Sequence, residues 1–184
     1  MQAFNQSRTP GTPDQLWMVE HPAVFTLGLA GRREHVLAPG KIPVIATDRG
    51  GQVTYHGPGQ VVGYVLLDLR RIGFGVRELV RRLEQSVIEV LDGYGIAGER
   101  RAGMPGVYVD GAKIAAVGLR VARGCTYHGV ALNADLELEP FSRIDPCGYP
   151  GLASTRLADL GVRDSMAEVQ GRLEKYLIKC LIPS

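Results

Sequence analysis

Only two stretches of this 184-residue chain repeat their apolar residues at helical spacing. The first holds Val76, Leu79, Val80, Leu83, Val87, Ile88 and Leu91, with Gly93 placed to stop the helix. The second runs from about residue 165 to 180. There Ser165 and Glu168 form a capping box, and Met166, Val169, Leu173, Tyr176, Leu177 and Cys180 form the apolar face. Most of the rest reads as β-type runs cut by glycine and proline, at 15–20, 23–29, 43–47, 52–56 and 60–69. Further runs lie at 107–109 and 114–121, around the Asp110-Gly111 hairpin signal, and at 126–138. The apolar run 60–69 is nearly continuous, as in a strand buried on both faces. Strands and helices in no regular alternation predict an α+β fold, a mixed sheet flanked by helices. Length predicts one domain over 1–184 with a substantial core.

Charge narrows the function. There are 21 basic against 19 acidic residues, which leaves no excess for a nucleic-acid footprint. Neither a secretory signal nor an apolar run of membrane-spanning length is visible, so no membrane role is expected. The three cysteines, Cys125, Cys147 and Cys180, are an odd number set far apart. They read as free thiols in a reducing compartment, and the cytoplasm is the expected location.

The densest segment is Arg49-Gly50-Gly51-Gln52-Val53-Thr54-Tyr55-His56-Gly57-Pro58-Gly59-Gln60. Its glycine spacing and the β-type residues after it do not fit a dinucleotide loop, and no Gly-Lys-Ser/Thr makes it a P-loop. Its glycines either turn corners or let backbone approach a ligand, and both readings stand. Cys125 and His128 have a metal-like spacing but no second ligand pair, so no metal is expected. Cys180 reads as a small core residue. Cys147 sits between Pro146 and Gly148 in a turn-rich loop, where a thiol can be inert or nucleophilic. Its candidate activators by residue type are His56, His128 and the lysines. Lys113 is either the polar end of a hairpin or a cation at the mouth of a site.

Four motifs go further together. Residues 49–60, Lys113-Ile-Ala-Ala-Val-Gly-Leu-Arg120, His128-Gly-Val-Ala-Leu-Asn133 and Arg143-Ile-Asp-Pro-Cys-Gly148 resemble, in order and spacing, the octanoyltransferases of lipoate biosynthesis. The resemblance runs from about Leu16 to Gly151. Members usually carry an extra strand and helix before the segment that starts here at Met1.

The resemblance implies a cytoplasmic acyltransferase with the fold of the biotin and lipoate ligases, using no cofactor. It implies transfer of an octanoyl group from acyl carrier protein to a lysine of lipoyl domains. Those belong to 2-oxoacid dehydrogenases and the glycine-cleavage H protein. Cys147 becomes the nucleophile and Lys113 its activator. Arg49, Gly50, Gly51, Gln52, Val53, Thr54, Tyr55 and His56 become substrate contacts, with Ala116, Val117, Gly118, Gly129, Val130 and Ala131. The arginine pairs at 32–33, 70–71, 81–82 and 100–101 are candidate docking points for acidic partners. An ATP-dependent lipoate or biotin ligase is the rival reading. It would not need Cys147. A catalytically dead lipoyl-domain binder is the other rival, disfavoured because Cys147 and Lys113 are both present.

Overall fold

The computed structural model describes residues 1–146, 149 and 151–182. Cys147 and Gly148 lie outside the described residues. The larger sheet has six strands, all antiparallel to their neighbours. In spatial order they are β1 (Gln15–Val19), β5 (Gln60–Leu66), β9 (Cys125–Asn133), β8 (Ala112–Ala122), β7 (Met104–Val109) and β6 (Glu99–Arg101). A smaller sheet holds β2 (Val24–Leu27) between β3 (Val44–Ala46) and β4 (Val53–His56). Its β2–β3 pair is parallel, so the mixed pairing is found in this small sheet.

The two predicted helices, α3 (Val76–Asp92) and α4 (Met166–Leu181), pack together on one face of the large sheet. Leu79, Leu83, Val87 and Leu91 of α3 and Val169, Leu173 and Leu177 of α4 are buried there against Val61, Val65, Val130 and Leu132. At about 25 cal/mol per Å² of apolar surface, this is the main stabilising contact of the chain. The capping box forms: the Ser165 N–H donates to Glu168 Oε2 at 2.7 Å, and the Glu168 N–H to Ser165 Oγ at 3.4 Å.

Two local expectations need correction, the extent of the 60–69 strand and the burial of Cys180. The 60–69 run ends as a strand at Leu66, because Asp68 caps a short helix, α2 (Leu69–Ile72), through the Arg70 N–H. Gly93 caps α3 as expected, in a helical conformation, and a left-handed turn follows at Gly95. Cys180 is only half-buried on the flank of α4, its sulfur turned toward Glu89. The polar segment before residue 15 holds a six-residue helix, α1 (Gln2–Ser7).

Candidate active site

The opposite face of the large sheet carries only the short helix α1 among the described residues, its Phe4 packed on Trp17 of β1. The small sheet covers this face, and a cavity of about 290 Å³ lies between the two sheets. Strand alternation explains the shape. Residues pointing at the helices are mostly large aliphatics, while the cavity floor is Val62 and Tyr64 of β5, Ala116 and Gly118 of β8, and Gly129 and Ala131 of β9. Val24, Thr26, Ile45 and Thr54 of the small sheet face this floor.

The loop from Arg49 to Gln52 lies across β8. The Gly50 N–H donates to Leu119 O at 2.8 Å. A Cβ on Gly118 would sit 3.1 Å from Gly50 O, so backbone passes over backbone here. The Arg49 guanidinium donates to Thr26 O at 2.7 Å and to Gly50 O at 3.0 Å, tying the loop to β2. Gly50 and Gly118 thus allow two protein backbones to cross closely. Gly57 and Gly59 instead turn the chain from β4 of one sheet into β5 of the other.

Lys113 reaches the cavity through a β-bulge. Val107 pairs with Ala115 and Tyr108 with Lys113, so β8 has one extra residue, Ile114, at this point. Ile114 and Ala115 both enter the helix-side core, and Lys113 turns to the other face. It is 6% exposed, with its ammonium 5.5 Å from the centre of the Tyr108 ring. Its side chain passes Gly106, where a Cβ would lie 2.6 Å from Lys113 Cε. Residues 153–155 pair with Lys113: its N–H donates to Ala153 O at 2.8 Å, and the Thr155 N–H donates to Lys113 O at 3.0 Å. Pro146 and Ser154 line the cavity beside it.

Three histidines line the cavity, His21, His56 and His128. Burial lowers the pKa of each, and that of His56 falls to about 4, so all three are neutral at pH 7. His128 has φ 63, uncommon for a residue with a side chain. Tyr127 and His128 both bond to Asp48, although successive strand residues ordinarily point apart. Burial would raise the Asp48 pKa, but the hydrogen bonds from His128 and Tyr127 outweigh it and hold the carboxylate ionised.

Of the residues expected to touch substrate, all line the cavity except Tyr55. Its ring packs between a tilted Phe25 and an edge-on Phe141, with both centroids at 5.5 Å. Sequence reasoning missed His21, Tyr64, Gln60 and Asn133 as lining residues. Gln60 and Asn133 close two of the quoted motifs, which was the available signal. Among the arginine pairs, Arg70, Arg82, Arg100 and Arg101 are held by Asp68, Glu78, Glu84 and Glu99 of their own chain. Among the described residues no cluster of potential ligands could hold a metal ion. No helix among them is long and apolar enough to cross a membrane.

The family model described as the lipoyl protein ligase A/B catalytic domain matches residues 1–178. An octanoyltransferase of Alkalilimnicola ehrlichii is 61% identical over 182 residues, covering 99% of this chain and 85% of that protein. One from Thiobacillus denitrificans is 60% identical, covering 98% and 83%. The chain belongs to the octanoyltransferases of the lipoyl protein ligase A/B family. By that family it is an acyltransferase. In three dimensions it is similar to a putative lipoate protein ligase of Thermoplasma acidophilum. That likeness has a TM-score of 0.79 at 16% identity and covers 98% of this chain and 77% of that one. A lipoate-protein ligase A bound with ATP gives a TM-score of 0.78 at 17% identity, covering 98% and 77%. These likenesses concern the fold, which does not fix the chemistry.

Proposed function

We propose that the chain transfers an octanoyl group from the thioester of acyl carrier protein to a lysine of a lipoyl domain, by way of a thioester on Cys147. The observation that carries this reading is Lys113, turned by a bulge into a cavity with a small apolar floor and neutral histidines. It stands beside Pro146 and Ser154, the segment that contains Cys147 in sequence. The narrow floor suits a straight acyl chain, at about 0.8 kcal/mol per buried methylene.

In this reading a thiol with an ordinary pKa near 8.5 is mostly protonated at pH 7, and the Lys113 ammonium favours its thiolate. The thiolate attacks the donor carbonyl, a new C–S bond forms, and the departing pantetheine sulfur takes a proton from Lys113. Neutral Lys113 then receives a proton from the incoming amine as the C–N bond forms and the Cys147 sulfur leaves. Each half passes through an oxyanion that backbone N–H groups stabilise. Residues 49–54 and 56, 116–118 and 129–131 contact the acyl chain and its carrier arm.

Incubation with octanoyl-acyl carrier protein alone, followed by intact mass measurement, tests this. An added octanoyl mass without ATP is expected, absent in Cys147→Ala and slower to form in Lys113→Ala at neutral pH. A wild-type protein that gains no mass without ATP would falsify the transferase reading in favour of an ATP-dependent ligase.

A further inference from the structure

His56 stands at the end of a chain of buried amides whose direction is fixed by two backbone carbonyls. Asn133 Nδ2 is 2.9 Å from Thr155 O, and a carbonyl only accepts, so the nitrogen must face it. That leaves Asn133 Oδ1 facing Gln60 Nε2 at 2.9 Å, and the same Gln60 nitrogen donates to Tyr55 O at 3.3 Å. Flipping either amide would set oxygen against oxygen at these contacts. Gln60 Oε1 is thereby fixed 2.7 Å from His56 Nδ1. The oxygen accepts, so neutral His56 carries its proton on Nδ1 and has a bare lone pair on Nε2. Gln60 is 2% exposed and Asn133 4% exposed, so these amides are held by the protein rather than by bulk water. Thr155 also bonds Lys113 through its N–H, so one segment anchors both groups.

A fixed acceptor in this cavity suits one reaction partner and opposes another. The reacting atoms of an acyl thioester, a carbonyl oxygen and a sulfur, offer no hydrogen to accept. An incoming lysine amine offers two N–H groups, and holding one of them directs its lone pair at the acyl carbon. We infer that His56 is the hydrogen-bond acceptor that orients the incoming lysine amine, and that Gln60 and Asn133 are positioning residues that fix its tautomer. This rests on the transferase reading above. In that step the C–N bond forms and the C–S bond to Cys147 breaks. The nitrogen's other proton passes to Lys113, the Cys147 sulfur leaves as the thiolate, and His56 gains no proton.

Two measurements test this. In uniformly ¹⁵N-labelled wild-type protein at pH 7, long-range ¹H–¹⁵N correlations are expected to show His56 protonated at Nδ1 and bare at Nε2. The opposite tautomer would overturn the inference. In Gln60→Leu the preference for Nδ1–H is expected to be lost, and its retention would remove Gln60 from the positioning role. For the chemistry, each enzyme is loaded with octanoyl-acyl carrier protein, then mixed with a recombinant lipoyl domain and quenched. In His56→Phe, transfer is expected to slow at least tenfold more than loading. His56→Gln, which sets an amide oxygen near the place of Nε2, should recover part of that loss. Equal effects on the two halves would sink the assignment. Failure of the wild type to load would instead sink the transferase reading itself.

Discussion

Lys113 reaches the cavity because Gly106, across the strand pair, has no Cβ to block it. Gly106 has φ 133, and a Cβ there would lie 2.4 Å from Ala115 O as well as 2.6 Å from Lys113 Cε. Its N–H donates to buried Glu84 at 3.0 Å, which fixes the backbone on the helix side. Gly103 offers a comparison within the same hairpin: it has φ 75 but nothing within 4 Å of the added carbon. Gly103→Ala should cost only the backbone strain, about 1–2 kcal/mol, and leave the rate of acyl loading unchanged. Gly106→Ala should cost more, about 3 kcal/mol, and also slow loading several-fold by displacing the ammonium. Urea midpoints and stopped loading assays on the two variants decide this. Equal rates in both would show that Gly106 does not position Lys113.

The elements were mostly legible in the sequence, while their irregularities were not. Periodicity located α3 and α4, and the Ser165–Glu168 pair located the start of α4 to the residue. Alternation located strands but not pairings, because register depends on partners distant along the chain. The bulge at Ile114 that turns Lys113, and the left-handed His128 that brings two neighbours to Asp48, have no signature in residue type. Alternation does place Tyr55 on the face opposite Thr54 and His56; the resemblance, which took the segment 49–56 whole, included it among the substrate contacts. The resemblance supplied the site segments; the fold supplied the reason they meet. The capping box gives a prediction at this scale. Ser165→Ala should lower stability by about 1 kcal/mol, a shift of roughly 2–4 °C in Tm for a chain of this size. Ser165→Ala/Glu168→Ala together should lose less than the sum of the singles, because each residue caps through the other. Calorimetry on the three variants checks both points, and full additivity would mean that the two side chains act separately.

At the scale of the whole molecule, one sheet serves two different tasks: one face is a core, the other a cavity that holds histidines neutral. The second task makes stability depend on pH. Burial, with Arg49 nearby, lowers the His56 pKa from 6.5 to about 4. Between those values the unfolded chain binds a proton that the folded chain does not, so stability rises with pH across this window and falls on acidification. His21 and His128 are lowered in the same sense, and Asp48 adds a loss at lower pH as its carboxylate protonates. For His56 the full window corresponds to about 3 kcal/mol. Urea midpoints should therefore fall steadily from pH 7 to pH 4.5, and a flat profile would contradict the neutral, buried state of these rings. The same numbers separate stability from chemistry. His56 stays unprotonated in the folded enzyme throughout most of this range, so its acceptor role persists wherever the fold does. The ratio of the His56→Gln to the wild-type transfer rate, in which protonation of the incoming amine cancels, should then stay constant from pH 6.5 to 5 while both proteins remain folded. A ratio that rises toward one near pH 6 while the protein remains folded would show that the acceptor nitrogen titrates well above 4, and the geometry of the Gln60 chain would have to be different.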